Sequence, residues 1–263
     1  MPCDKIDFTF GIITAGDNEE NINKIIDSVM AQNMPCFEIV IIGSCKINRK
    51  NVLVKEFDEN QKKGWITRKK NIVTYYSILE NIVYLHDYIL FQEPKISDEE
   101  AKNLSNEEAL QAREEGLLGW YQGFLRFGNN WNVCSNVQVD STNSRWIDHS
   151  LWWEDCKDYP NAEKDRLFLL PYDVTDLFKY QYVGGQYYIL KKTAAHKYSL
   201  NENLVHCEGE DVEFSLRARQ EFQFDFNPYS KVAYNKVKGN PFDHATPELI
   251  QFLRDKSVKK VNN

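Results

Sequence analysis

At 263 residues the chain is long enough to bury a sizeable core and short enough for one large domain or one domain with an appendage. A net charge of -7 and an isoelectric point near 5.4 exclude general affinity for nucleic acid, which needs a basic face; a nucleotide-sized ligand needs only a local basic pocket. Six cysteines stand without a C-x-x-C pair or zinc-finger spacing, the first residues carry no apolar signal core, and no apolar run approaches a membrane span, so reduced thiols in a cytoplasmic protein are the expectation.

Phe8–Ile13 is aromatic and β-branched and runs into Thr14-Ala15-Gly16-Asp17, the pattern of a strand ending in a turn. Asp17 is placed to cap a helix, with Glu20 three residues on. Ile22, Ile25, Ile26, Val29 and Met30 then recur at helical spacing to about Asn33. Phe37–Ile42 is almost continuously apolar and closes at Gly43-Ser44, as a parallel strand covered on both faces does. A short strand over 52–57, a helix over 65–81 and an apolar strand over 82–85 complete a β-α-β-β-α-β run. That helix carries Arg68, Lys69, Lys70 and Asn71, and the last strand delivers Asp87 within His86-Asp87-Tyr88. Ligands of an open α/β sheet bind outside the carboxyl ends of its strands. The turns at 14–16, 43–44 and 86–88 should therefore line one edge, where cations and an acid could hold a phosphate and its metal.

Residues 97–115 change character: seven acids among Ala and Leu predict one or two helices with a solvated face. The stretch 119–153 is rich in Trp, Asn and Ser. Aromatic faces stack on the C–H faces of sugar rings, which makes Trp120 and Trp152 candidates for an acceptor site; the alternative is that such rings fill the core of short β structure. Gly184 and Gly185 mark either a bulge or a close approach of backbone to a ligand. In His206-Cys-Glu-Gly-Glu210-Asp211-Val-Glu213-Phe, Gly209 precedes a helix whose first turn holds Glu210 and Asp211, pointing in different directions. Acids are common there for the helix dipole alone. Strands over 222–226 and 231–234 and a helix over 247–254 close the chain, with His244 between them. The basic end, Lys256, Lys259 and Lys260, reads as a solvated tail that could also touch an anionic membrane surface.

The helix with Arg68, Lys70 and Asn71, the apolar strand and the Asp87 turn together resemble the donor half of family 2 glycosyltransferases of the GT-A fold. In that family the turn is Asp-X-Asp and the second strand ends in Asp; here one acid is present and Gly43-Ser44 stands at the strand end. Gly-Glu-Asp-Val-Glu-Phe resembles the Gly-Glu-Asp segment of chondroitin polymerases and β-1,4-galactosyltransferases, where the Asp is the base of an inverting transfer. The resemblance implies an α/β, Rossmann-like mixed sheet flanked by helices. It implies Asp211 as general base, a donor site at Thr14, Ala15, Gly16, Ser44, Trp65, Arg68, Lys70, His86, Asp87, Gly185 and Glu210, and Mn2+ or Mg2+ at Asp87 with His244 as a further ligand. The partners it implies are a nucleoside-diphosphate sugar, UDP-sugar first, and a glycan acceptor.

The expected organisation is a single domain: a nucleotide-binding half to residue 92, an acidic helical insertion over 93–118, an acceptor and catalytic half over 119–246, and a terminal helix and tail. Two other classes share parts of the pattern. A sugar nucleotidyltransferase has a similar start but a Gly-rich, basic first loop, whereas residues 14–20 are acidic; a non-catalytic carbohydrate-binding protein would need only the aromatic rings.

Overall fold

The computed structural model describes residues 5–16, 18–160, 162–239 and 242–259. Strand β1 (Phe8–Ile13) is buried throughout and is followed by helix α1 (Glu19–Met30), whose inward face is Ile22, Ile25, Ile26 and Val29. Asp17 lies outside the described residues, and Asn18, next to the helix, makes no side-chain cap. Strands β2 (Phe37–Ile42) and β3 (Val52–Lys55) precede helix α2 (Ile66–Tyr76). The helix ends earlier than expected: Ser77 turns extended and its hydroxyl donates to Thr74 O (2.8 Å), closing the last turn. Strands β4 (Asn81–His86) and β5 (Ile89–Phe91) follow.

The acidic stretch forms α3 (Asp98–Asn103) and α4 (Asn106–Glu114), each opened by a Ser/Glu capping box. Their inner face, Ala101, Ala109 and Ala112, closes with Leu118 into a small cluster of its own. Next come α5 (Trp120–Phe127), β6 (Val133–Val139), β7 (Ser150–Trp152), the single turn α6 (Trp153–Cys156), β8 (Leu167–Leu169), β9 (Gln181–Tyr182) and β10 (Tyr187–Lys191). The chain closes with α7 (Lys192–Lys197), α8 (Glu210–Ala218), β11 (Phe224–Tyr234), β12 (Asp243–His244) and α9 (Pro247–Lys259). The expected pair of closing strands is one strand, β11, with a register shift between Asn227 and Lys231. Pro228 sits in that bulge, where its missing N–H costs no ladder bond.

Eight strands form one mixed sheet in the order β3-β2-β1-β4-β10-β6-β11-β5. The first four are parallel, and β10 runs antiparallel between β4 and β6. One face packs on α1 and α5, the other on α2, α7 and α8, which is why both sets of alternating residues in β1, β2 and β4 are apolar. A second sheet, β12-β8-β7-β9, covers a third cluster with Leu249, Ile250 and Leu253 of α9. Lys256 of the basic end donates to Asp155 O (2.9 Å); Lys260 is outside the described residues. Among the described residues no helix is long and apolar enough to cross a membrane.

Trp120 is a core residue rather than an acceptor platform. It is fully buried among Phe8, Phe10, Phe91 and Phe124, and its indole N–H donates to the Tyr187 hydroxyl (2.9 Å). Alternation and aromatic content alone do not separate a ring that lines a cleft from one that fills a sheet-helix layer.

His149 gives the fold a built-in acid sensitivity. It is fully buried, stacked on Phe226 with ring centroids 4.6 Å apart, with Nε2 2.8 Å from Val174 O and Nδ1 without a hydrogen-bond partner. Burial pushes its pKa from 6.5 down to about 4, so across that window the unfolded chain binds the proton and the folded one does not. Stability from this group therefore rises with pH between those values and is lost on acidification, by about 3 kcal/mol in full. In urea titrations at a series of pH values, the fall from pH 6.5 to pH 4 should be shallower by roughly this amount in His149→Phe than in the parent. Parallel curves would show that His149 is not the group responsible.

Candidate active site

The register of the parallel strands aligns Ile13 with both Ile42 and His86, so the loops after β1, β2 and β4 leave the sheet at one edge. Below that edge lies a cleft of about 660 Å³ lined by Thr14, Ala15, His86, Asp87, Tyr88 and His206, among others. Thr14 is held at every polar atom. Its N–H donates to Ile42 O (3.1 Å), its carbonyl accepts from the buried Lys69 ammonium (2.8 Å), and its hydroxyl donates to Asp87 Oδ2 (2.7 Å) while accepting from Gly16 N–H (3.0 Å). Lys69 is also paired with Glu59. Asp87 is thus oriented by the loop after β1, and the two strand ends form one rigid wall.

His86 donates its backbone N–H to Gln186 O (3.1 Å), and its ring Nδ1 lies 3.4 Å from the Tyr88 hydroxyl. Its Nε2 is sealed from solvent without a hydrogen-bond partner. Burial, then the charges of Lys70, His206, Lys238 and Lys236, hold its pKa well below the ordinary histidine value, so the ring is neutral. Tyr88 is held as the phenol by burial and by Asp87.

The second acidic turn meets the same segment from the other side. Gly209, with φ +73°, supplies the left-handed residue from which α8 starts, and Glu210 and Asp211 open the helix as expected. Asp211 Oδ2 accepts the Gly185 N–H (2.7 Å), Oδ1 accepts the Val212 N–H (2.9 Å), and the buried Tyr182 hydroxyl also bonds this carboxylate. Lys70, fully buried, donates to Gly185 O (2.5 Å) and lies over the Tyr188 ring. Gly185 is therefore held at both backbone polar atoms, and what its backbone closely approaches is the Glu210-Asp211 pair. A Cβ at this position would lie 2.6 Å from Glu210 Oε1 and 3.0 Å from Asp211 Oδ2. Burial and the neighbouring Asp211 raise the Glu210 pKa, and Lys70 pulls it back. Burial likewise lowers Lys70 to about 8 against the pull of both acids.

Consecutive helical residues point about 100° apart, and Arg68, Lys69 and Lys70 go to three different places. Lys70 reaches Gly185 and Lys69 reaches Thr14, but Arg68 faces away from the cleft. It pairs with Glu202 (3.0 Å) beside a separate hollow of about 570 Å³ lined by Asn71, Tyr75 and Tyr76. Trp65 is half-buried and donates to Glu202 O (2.7 Å); its neighbours Gly64 and Ile66 line the cleft in its place. Ser44 is exposed and borders an adjoining hollow with Phe57 and Glu59. Trp152 is half-buried, its ring 6.1 Å from that of Tyr182. His244 is exposed on β12, three strands from β9 in the second sheet and hence roughly 14 Å from Tyr182 at ordinary strand spacing. Among the described residues it forms no group of three possible metal ligands with Asp87.

Sequence reasoning passed over Lys69 as a positioning group, and over Tyr182, His206, Lys236 and Lys238. The Lys-x-Lys spacing after a strand was a readable signal for the last two, since alternate residues of an extended chain leave on one side.

No protein-family model matches the sequence, and no curated protein matches it. Solved structures do resemble it in shape. S. aureus TarS has 13% identity and a TM-score of 0.51, over 98% of this chain and 40% of that one. GalNAc-T7, solved with UDP, GalNAc and Mn2+, has 11% identity and a TM-score of 0.51, over 96% and 48%. The mannosyltransferase PcManGT from Pyrobaculum calidifontis, in complex with GDP-Man and Mn2+, has 10% identity and a TM-score of 0.51, over 92% and 61%. This chain thus spans between 40% and 61% of the length of those three. At such identities the likeness is one of architecture, and the mixed sheet, its flanking helices and these neighbours together make the fold GT-A.

Proposed function

We propose that the chain is a glycosyltransferase that moves a sugar, with inversion, from a nucleoside-diphosphate sugar to a hydroxyl of a glycan or similar acceptor. The observation that carries this reading is the shared 184–186 segment. Gln186 bonds the strand end that delivers Asp87, and Gly185, one residue away, bonds Asp211, so both acidic turns frame one edge of the sheet. In the reaction the acceptor oxygen attacks the anomeric carbon, the bond to the diphosphate oxygen breaks, and the electron pair leaves with the diphosphate. The acceptor proton goes to Asp211. The carboxylate already accepts the Gly185 and Val212 N–H groups and the Tyr182 hydroxyl, which leaves one lone pair for the incoming hydroxyl, so its direction is set before substrate arrives. Glu210, with its raised pKa, is suited to bind a sugar hydroxyl beside it.

Among the described residues no group of three His, Cys, Asp or Glu side chains is arranged to hold a metal. Mg2+ and similar ions bind through one or two carboxylates and complete their shell with water and phosphate oxygens, so Asp87 fits an ion that arrives with the diphosphate. Such an ion would neutralise charge on the leaving group. His86 is committed to its neutral, sealed position, and among the described residues neither it nor His244 belongs to such a group with Asp87.

Calorimetry with UDP and GDP in Mn2+, followed by an assay of nucleoside diphosphate release from UDP- and GDP-sugars, tests the reading. One nucleotide should bind with Kd between about 1 μM and 1 mM, and its sugar should turn over faster with a glycan acceptor present. If neither nucleotide binds, or if pyrophosphate is released from a nucleoside triphosphate instead, the proposal is wrong.

A further inference from the structure

Beyond the two acidic turns, the cleft has a cationic element that the proposed transfer has not used. Lys236 and Lys238 follow β11 with one residue between them, and both amines lie against the ring of Tyr88. Two ammonium groups repel in that position, yet the surroundings hold them there. Lys236 Nζ lies 3.4 Å from the centroid of the Tyr88 ring, and Lys238 Nζ lies 4.9, 5.1 and 5.2 Å from those of Tyr88, Trp146 and Tyr234. The backbone is fastened as well. The Lys238 N–H donates to Asp140 Oδ2 (2.9 Å), the same carboxylate takes the Gly239 N–H (3.3 Å), and Ser141 N–H donates to Lys236 O (3.2 Å).

Lys236 lines the cleft with Thr14, Asp87 and His206, and the charges of both lysines reach the sealed His86 ring. Asp87 offsets part of the charge on Lys236, while burial and its neighbour push Lys238 down to about 8. A like-charge contact built onto rigid aromatic faces at the mouth of a cleft is relieved when an anion enters between the two amines.

We propose that Lys236 and Lys238 are the seat of the donor's diphosphate, each amine giving a charge-assisted hydrogen bond to its oxygens. This rests on the glycosyltransferase reading and adds to it a binding element supplied by the segment after β11. It also makes part of the affinity independent of any divalent ion.

The test is calorimetry of UDP, GDP and inorganic pyrophosphate, in Mn2+ and in EDTA, with the parent chain, Lys236→Ala, Lys238→Met and the double variant. Lys236 is exposed, so its replacement leaves folding intact, and thermal melting checks each variant. The parent should keep measurable binding of the preferred nucleotide in EDTA. The double variant should bind at least 30-fold more weakly in both conditions, and Lys236→Arg should recover most of the Lys236→Ala loss. Affinity within threefold of the parent in the folded double variant, or parent binding that vanishes in EDTA, would overturn the lysine seat and leave the glycosyltransferase reading standing. Binding of none of the three probes by the parent would overturn both.

Discussion

Asp211→Asn is expected to lower transfer between about a hundred- and ten-thousand-fold, the usual contribution of a positioned base, while the nucleoside diphosphate Kd stays within twofold. The amide cannot take the acceptor proton. Its carbonyl oxygen can still accept the Gly185 N–H that Oδ2 accepts in the parent, so the 184–186 segment should remain in place. Initial rates with a saturating sugar nucleotide, alongside calorimetry, separate the two effects. An equal loss of rate and affinity would mean that Asp211 holds the backbone and does no proton transfer. Unchanged turnover would move the base elsewhere, with Glu210 the next carboxylate to replace.

Lys70→Met should be the most destabilising single change in the site, by about 3 kcal/mol or more, because it strips the compensating charge from a buried pair of acids. The ammonium is fully buried, carries the charge nearest Glu210 and Asp211 in the α2 helix, and is the partner of Gly185 O. Methionine matches its length without replacing either interaction. At about 2–4 °C per kcal/mol for a domain near this size, the melting temperature should fall by roughly 10 °C. Turnover should fall as well, since Gly185 and the Asp211 carboxylate bonded to it lose one of their two anchors. A variant that melts with the parent would show that the Glu210 proton already balances the site without the lysine.

Residues 5–92 were the most legible part. Apolar runs such as Phe8–Ile13 and Phe37–Ile42 have one physical solution, a strand covered on both faces, and their bounds match the structure. Helix termini were less so: the end of α2 is set by a Ser77 hydroxyl bond and not by a break in periodicity. Pro228 split one strand into two expected ones because a bulge cannot be told from a turn without the partner strand.

Sequence by itself determined the order of strands and helices along the first part of the chain and the edge where the loops at 14–16 and 86–88 gather, because hydrophobic period and chain connectivity are local properties. Only the tertiary structure decided which of three adjacent cations faces which neighbour, that Trp120 is core, that His244 lies on the edge strand of the second sheet, and that Lys236 and Lys238 meet over Tyr88. Those outcomes depend on side-chain direction and on contacts between segments more than 100 residues apart, such as Lys70 with Gly185, whose |i−j| is 115. Packing sets such contacts, and no local pattern encodes them.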